Sequence, residues 1–249
     1  MTQPSGESLR GASGRGELAA YFQPQVELAT SRMVSCEALC RWQHPEMGEI
    51  PPATFIAVAE SAGIIDEIGE FMFEAGLDFL QDSDAAGRPL DVAINVSPAQ
   101  LTSQRFIDKI LVMVAARSVD PGRITVEVTE SVEIQDMSAV SGRLGLLREL
   151  GMGISIDDFG VGHSLAAQVL GLPATEIKID RTLVYRESEA SDISFHEAMK
   201  LASDLGLRTV AEGVETAEHR DYAVAMGCNR AQGFLYGRPA REIDFSTLR

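Results

Sequence analysis

Five acidic residues and one asparagine fall at or near the ends of short β-like runs. Glu37 lies in VSCEALCRW, Asn95 ends DVAIN, Glu127 lies in ITVEVTE, Asp157 and Asp158 end ISIDD, and Glu212 ends TVAE. Taken singly, each is most simply a solvated loop residue. Converging on one opening, the carboxylates would repel one another unless cations sat among them. An all-oxygen set without Cys or His suits hard cations, Mg²⁺ or Mn²⁺, rather than zinc. Adjacent Asp157 and Asp158 let one carboxylate bridge two ions about 3.5–4 Å apart, the spacing that two-metal phosphate cleavage requires.

Side chains alternate between the two faces of a strand, so parity shows which residues share a face. Glu37, Leu39 and Arg41 point one way, and Cys36, Ala38 and Cys40 the other. Asn95 falls with Ala93, Glu127 with Thr125 and Thr129, and Asp157 with Ser155. Glu176, Lys178 and Asp180 oppose Ile177 and Ile179, and Gln232 lies in the last run. Each strand thus puts apolar residues under helices and delivers a polar group near its C-terminal end, where (β/α)8 enzymes gather their active sites.

Other candidates are weaker. Cys36 and Cys40 share a helix-packed face, as buried free thiols do. His44, His163, His196 and His219 show no metal-ligand spacing. DFGVGHS (Asp158–Ser164) is glycine-rich but lacks the Lys-Ser/Thr of a phosphate-binding P-loop.

The elements that must position these groups alternate. The β-like runs are Ala20–Leu28, Met33–Trp42, Asp91–Val96, Ile124–Thr129, Gly153–Asp157, Glu176–Ile179, Arg208–Ala211 and a weaker Arg230–Phe234. Between them lie helical patterns over Pro52–Ala62, Asp66–Gln81, Phe106–Ala116, Met137–Leu150, Ser191–Leu205 and Ala217–Met226, several ending at glycine. Such alternation implies βα units and a mainly parallel sheet. The first two runs are joined by four residues, too few for a crossover helix, so they pair antiparallel. About eight units in one undivided chain favour a barrel, whose usual size is about 250 residues. Residues 1–16, rich in Gly and Ser, read as a flexible lead-in, and 17–249 as a single barrel domain.

With 21 Lys+Arg against 37 Asp+Glu, the net charge of −16 argues against a nucleic acid polymer as partner. No apolar run approaches the ~20 residues of a membrane span. The N-terminus lacks the apolar core of a signal peptide, and three cysteines do not make a secreted disulfide framework. These features predict a cytoplasmic protein.

Glu37-Ala38-Leu39 with Arg41-Trp42 resembles the signature of the EAL-domain cyclic di-GMP phosphodiesterases. Further motifs follow in that family's order: FQPQ (Phe22–Gln25), PATFI from Pro52 with AE (Ala59-Glu60), NVSP (Asn95–Pro98), EVTES (Glu127–Ser131) and DDFGVGHS. KID (Lys178–Asp180), AEGVE (Ala211–Glu215) and QGFLYGRP (Gln232–Pro239) complete the set. The resemblance implies a (β/α)8 TIM-type barrel with one antiparallel strand, and hydrolysis of cyclic di-GMP to linear pGpG with two Mg²⁺ or Mn²⁺ ions, Ca²⁺ being inhibitory. It implies that Glu37, Asn95, Glu127 and Asp157 hold one metal, and Asp157 and Asp158 the second. Glu212 would be a ligand or the general base, and Lys178 would orient the attacking water. Glu130 would anchor the loop after Asp158, with Gln23, Arg41, Asp180, Glu215 and Gln232 around substrate. A homodimer is implied, and a regulatory domain that is separate or missing. His163 and Leu165-Ala166 depart from the family's usual residues, which touches loop tuning rather than chemistry. The alternative class is a binding-only receptor for the same nucleotide. An apolar barrel wall is expected to limit solvent around the cations.

Overall fold

Leu18–Glu27 (β1) and Arg32–His44 (β2) form an antiparallel hairpin. Its turn has Ser31 at φ 57, with the Ser31 N–H donating to Glu27 O at 2.8 Å and Thr30 Oγ1 to Glu27 Oε2 at 2.7 Å. The computed structural model describes residues 4–129, 136–160, 170–185 and 189–244. Glu130, the expected loop anchor, and 161–169, which hold the rest of the glycine-rich motif with His163 and Leu165-Ala166, lie outside the described residues.

Gly48–Ile50 (β3), not anticipated from the sequence, folds back on the far end of β2. The other strands are Asp91–Asn95 (β4), Ile124–Thr129 (β5), Gly153–Phe159 (β6), Glu176–Ile179 (β7), Arg208–Ala211 (β8) and Arg230–Gln232 (β9). Eight strands close in the order β1-β2-β4-β5-β6-β7-β8-β9, with β9 returning to β1. From β2 round to β9 the pairs are parallel, and β1 runs antiparallel to both neighbours. The architecture is the (β/α)8 TIM-type barrel with one antiparallel strand.

The apolar parity set packs outward under the helices. Val92, Ile94, Val126, Ile154, Ile177 and Ile179 are fully buried there. The helix Ile65–Ala85 covers β4 with Ile65, Ile68, Met72, Leu77 and Leu80, the spacing of one helical face. Gly76 permits that approach, since a Cβ there would stand 2.7 Å from Ile94 Cδ1. The inner wall is different. Gln23, Gln25, Ser35, Glu37, Thr125, Glu127, Ser155, Asp157, Glu176, Lys178 and Gln232 are buried and share the inward face through the strand register. The wall around the acidic group is therefore mostly polar, not apolar as expected: Ala93 and Val210 face inward among these polar residues, while most of the hydrophobic alternates lie on the helix side.

The N-terminal segment is also not the loose lead-in expected. Residues Gly6–Leu9 form a helical turn capped reciprocally by Ser5 and Ser8, and Leu9 and Ala12 are buried. Gly11 N donates to Glu67 Oε2 at 2.9 Å, and Arg15 Nε to Glu17 Oε1 at 2.6 Å. Two apolar side chains and these anchors outweigh the local flexibility of the glycines. Among the described residues no helix is long and apolar enough to cross a membrane.

Candidate active site

Lys178 is the centre of the barrel mouth. Its position on β7 points inward, and its side chain is 1% exposed. Nζ lies 2.8 Å from Glu212 Oε1, 3.0 Å from Asp157 Oδ1, 3.1 Å from Glu127 Oε2 and 3.4 Å from Glu37 Oε2. Four strands and the residue after β8 thus deliver one ammonium and four carboxylates to a single point. Burial opposes the charge on Lys178, but Asp157, Glu127, Glu212 and Glu37 outweigh it and hold the ammonium well above its ordinary range. It is a fixed cation.

One ammonium does not balance the group. Burial, reinforced by Glu37, pushes the Glu127 carboxyl well above the usual range. Burial also pushes Glu212 up to about 8 against the pull of Lys178, and Asp158 up to about 6 with help from Asp157. Glu37 goes the other way. Burial pushes it up, yet Lys178 and hydrogen bonds from Gln232 and Asn95 hold it below the usual range. Asn95 Nδ2 donates to Glu37 Oε1 at 2.7 Å, and Gln232 Nε2 to Glu37 Oε2 at 2.6 Å.

Strand alternation alone would send Asp158 to the helix side. A register shift in the β6–β7 pairing between Ile156 and Phe159, with Asp158 at φ 58, breaks the alternation. Asp158 consequently lines the mouth. Carboxylate oxygens of Glu37, Glu127 and Asp157 come within 4.8 Å of one another, as do those of Asp157, Asp158 and Glu212. Asp157 belongs to both groups. A non-glycine residue in the left-handed region costs about 1–3 kcal/mol, and such strain concentrates at functional sites.

The donor set fits hard divalent cations. Glu127 Oε1 is buried without a hydrogen-bond partner, and Asp157 Oδ1 meets Lys178 as an ion pair without hydrogen-bond geometry. Unpaired buried carboxylate oxygens are costly unless something positive takes them. Glu37, Glu127 and Asp157 offer one seat, and Asp157, Asp158 and Glu212 another.

Two cavities flank the mouth and share Glu37 and Leu39. One, of about 320 Å³, is mainly apolar, between Leu39, Arg41, Pro52, Ile56, Ile68 and Met72. The other, of about 370 Å³, is the more polar of the two, with Gln23, Asp158, Asp180, Glu215, Tyr185 and Phe234 in its lining.

The EAL domain family matches residues 6–239. This chain belongs to the EAL domain family. The bifunctional diguanylate cyclase/cyclic di-GMP phosphodiesterase MucR of Pseudomonas aeruginosa is 37% identical over 234 residues, 93% of this chain and 34% of MucR. The cyclic di-GMP phosphodiesterase RocR of the same organism is 34% identical over 232 residues, 92% of this chain and 59% of RocR. The chain thus spans about a third to three-fifths of the length of these relatives. The solved PaMucR phosphodiesterase in its c-di-GMP complex superposes with a TM-score of 0.86 at 35% identity, over 94% of this chain and 96% of that one.

In this EAL domain the structure brings together Glu37, Asn95, Glu127, Asp157, Asp158, Lys178 and Glu212, the residues named from sequence as metal-holding or catalytic. The five expected around substrate are spread more widely. Gln23 and Gln232 are buried and bond within the wall: Gln232 Nε2 also donates to Gln23 Oε1 at 3.1 Å, and Gln23 Nε2 to Gly237 O at 3.2 Å. Arg41 lines the apolar cavity, 5.5 Å from the centre of the Tyr21 ring and 3.9 Å from Glu49. Asp180 lines the polar cavity while accepting from Thr182 N at 2.8 Å, and Glu215 lines it opposite. Gln25, not singled out from the sequence although it shares the parity of Gln23, is buried beside this group and donates to Gln232 Oε1 at 2.9 Å.

Proposed function

We propose that this EAL domain hydrolyses one phosphodiester bond of cyclic di-GMP, giving linear 5′-pGpG. The observation that carries the proposal is Asp157, common to two groups of carboxylate oxygens that leave buried lone pairs unclaimed. Glu37, Asn95, Glu127 and Asp157 would hold one Mg²⁺ or Mn²⁺ ion, and Asp157 and Asp158 a second, with Glu212 beside them as general base. Two such cations, when bound, neutralise phosphate and carboxylates together and lower the pKa of a water at the site.

The chain's own residues do the rest. Lys178 keeps its proton, crosslinks the carboxylates and offers a donor that orients the attacking water. Glu212 is the most open of the four carboxylates around Lys178, with 18% side-chain exposure, and as a carboxylate at the edge of the cup it would serve as the base that takes the water's proton. The two cavities on either side of the cup suit a substrate with two bases flanking its phosphates, Arg41 serving the apolar side and Asp180 and Glu215 the polar side. MucR and RocR, 37% and 34% identical to this chain, are named as cyclic di-GMP phosphodiesterases, which supports the substrate.

Purified protein incubated with Mg²⁺ or Mn²⁺ and cyclic di-GMP should release pGpG, and EDTA should stop it. Nucleotide bound without product would make the chain a receptor, and neither binding nor product would end the proposal. The homodimer belongs to the same proposal, and light scattering of the purified chain tests it.

A further inference from the structure

A buried amide behind the acidic cup has no part in the chemistry above. Gln25 is 1% exposed and lies on β1 with Ser35 across one side and Gln232 across the other. Its Nε2 donates to Gln232 Oε1 at 2.9 Å. Both hydrogens of Gln232 Nε2 are then committed, one to Glu37 Oε2 at 2.6 Å and one to Gln23 Oε1 at 3.1 Å.

This chain of amides has a direction. An ionised carboxylate only accepts hydrogen bonds, so Glu37 requires the NH₂ end of Gln232. The Gln232 oxygen must then face the other way, and a buried carbonyl oxygen needs a donor. Gln25 supplies it. Turning the Gln232 amide over would set oxygen against oxygen at Glu37 and NH₂ against NH₂ at Gln25, so a single orientation satisfies all three residues.

We propose that Gln25 is a positioning residue for Glu37, acting through Gln232. By holding the Gln232 amide with its NH₂ toward Glu37, it fixes the position of that carboxylate at the mouth of the barrel. Its consequence for turnover rests on the proposed role of Glu37 in holding a metal; the amide chain itself does not.

Gln25→Met keeps the length of the side chain and removes its donor, and Gln25→Leu serves as a second variant should the first not fold. Two measurements decide. In EDTA, Gln25→Met should lower the urea midpoint of unfolding, and by less than half as much when Glu37 is replaced by Gln. An amide at position 37 accepts either orientation of Gln232, so the donor from Gln25 is no longer required. Equal losses in the two backgrounds would be additive, as for an ordinary packing residue, and would overturn the proposal. Calorimetric titration with Mn²⁺ alone should show affinity about tenfold weaker in Gln25→Met, the loss typical when a residue supporting a metal ligand is removed. Unchanged Mn²⁺ affinity would also overturn it. If the wild type neither binds Mn²⁺ nor makes pGpG, the metal reading of the site fails, and the urea comparison still decides the role of Gln25.

Discussion

Lys178→Met removes the ammonium and keeps an unbranched side chain. In the metal-free protein that ammonium stands 2.8–3.4 Å from four carboxylates, with Asp158 close by. Breaking a buried ion pair by removing one partner costs about 3–5 kcal/mol, because the remaining charge stays uncompensated. The carboxylates can escape the cost by taking protons. Glu212 stands at about 8 and Asp158 at about 6 with Lys178 present, and removing a nearby cation raises both further. A carboxyl whose folded pKa is raised holds a proton that the unfolded chain releases, so its neutral form is tolerated at low pH. The folded state then loses stability as pH climbs from the ordinary carboxylate range through about 8. The penalty of Lys178→Met should accordingly be small near pH 5, grow as pH rises through about 8, and go on growing above it, because the variant's Glu212 releases its proton later than the wild type's. For a chain of this size, about 3–5 kcal/mol is a fall in Tm of roughly 6–20 °C. Scanning calorimetry in EDTA at both pH values measures it. Mn²⁺ at about 100 times its Kd should return about 2.7 kcal/mol, since a bound cation replaces the missing charge. A variant whose Tm above pH 8 matches the wild type would refute Lys178 as the centre of charge balance.

Glu37→Gln exchanges an anionic oxygen for a neutral amide at the proposed metal seat, and should abolish pGpG formation; an active variant would remove Glu37 from that role. Ca²⁺ should compete with Mg²⁺ yet fail to support hydrolysis, because it takes 6–8 ligands at about 2.3–2.6 Å where Mg²⁺ demands near-octahedral geometry at about 2.0–2.1 Å; full activity with Ca²⁺ alone would contradict the mechanism. Gly233→Ala would set a Cβ 2.2 Å from Val214 O and 2.3 Å from Val214 N. Because both are backbone atoms that cannot swing aside, it should cost about 1–3 kcal/mol in urea unfolding and lower turnover by displacing neighbouring Gln232.

Strand parity carried most of the site. Glu37, Glu127, Asp157 and Lys178 reach the mouth because each sits at an inward position, and a period of two survives in any regular strand. Asp158 was out of reach of that rule. Its place depends on a bulge and a left-handed backbone, and ISIDD offers no glycine to announce either. The N-terminal segment failed in the opposite sense: Gly11, Gly14 and Gly16 suggested looseness, but Leu9 and Ala12 find a cavity that only the folded barrel supplies. Local composition does not report tertiary burial.

Asp158 and Lys178 address one electrostatic problem from two sides. A barrel whose inner wall is polar can gather carboxylates only if their charge is managed before any cation arrives. Lys178 manages part of it with a buried ammonium that none of its four partners can escape. Raised proton affinities at Glu127, Glu212 and Asp158 manage the rest, since each can be neutral in the metal-free state. On the proposed two-cation reading those protons would leave as a divalent ion bound, and metal affinity would rise with pH across the same interval in which the metal-free fold weakens. Glu37 is the exception. Against the push of burial, Lys178 and two amides, Gln232 and Asn95, hold it below the usual range, with hydrogen bonds of 2.6 and 2.7 Å that fix both of its oxygens at the mouth.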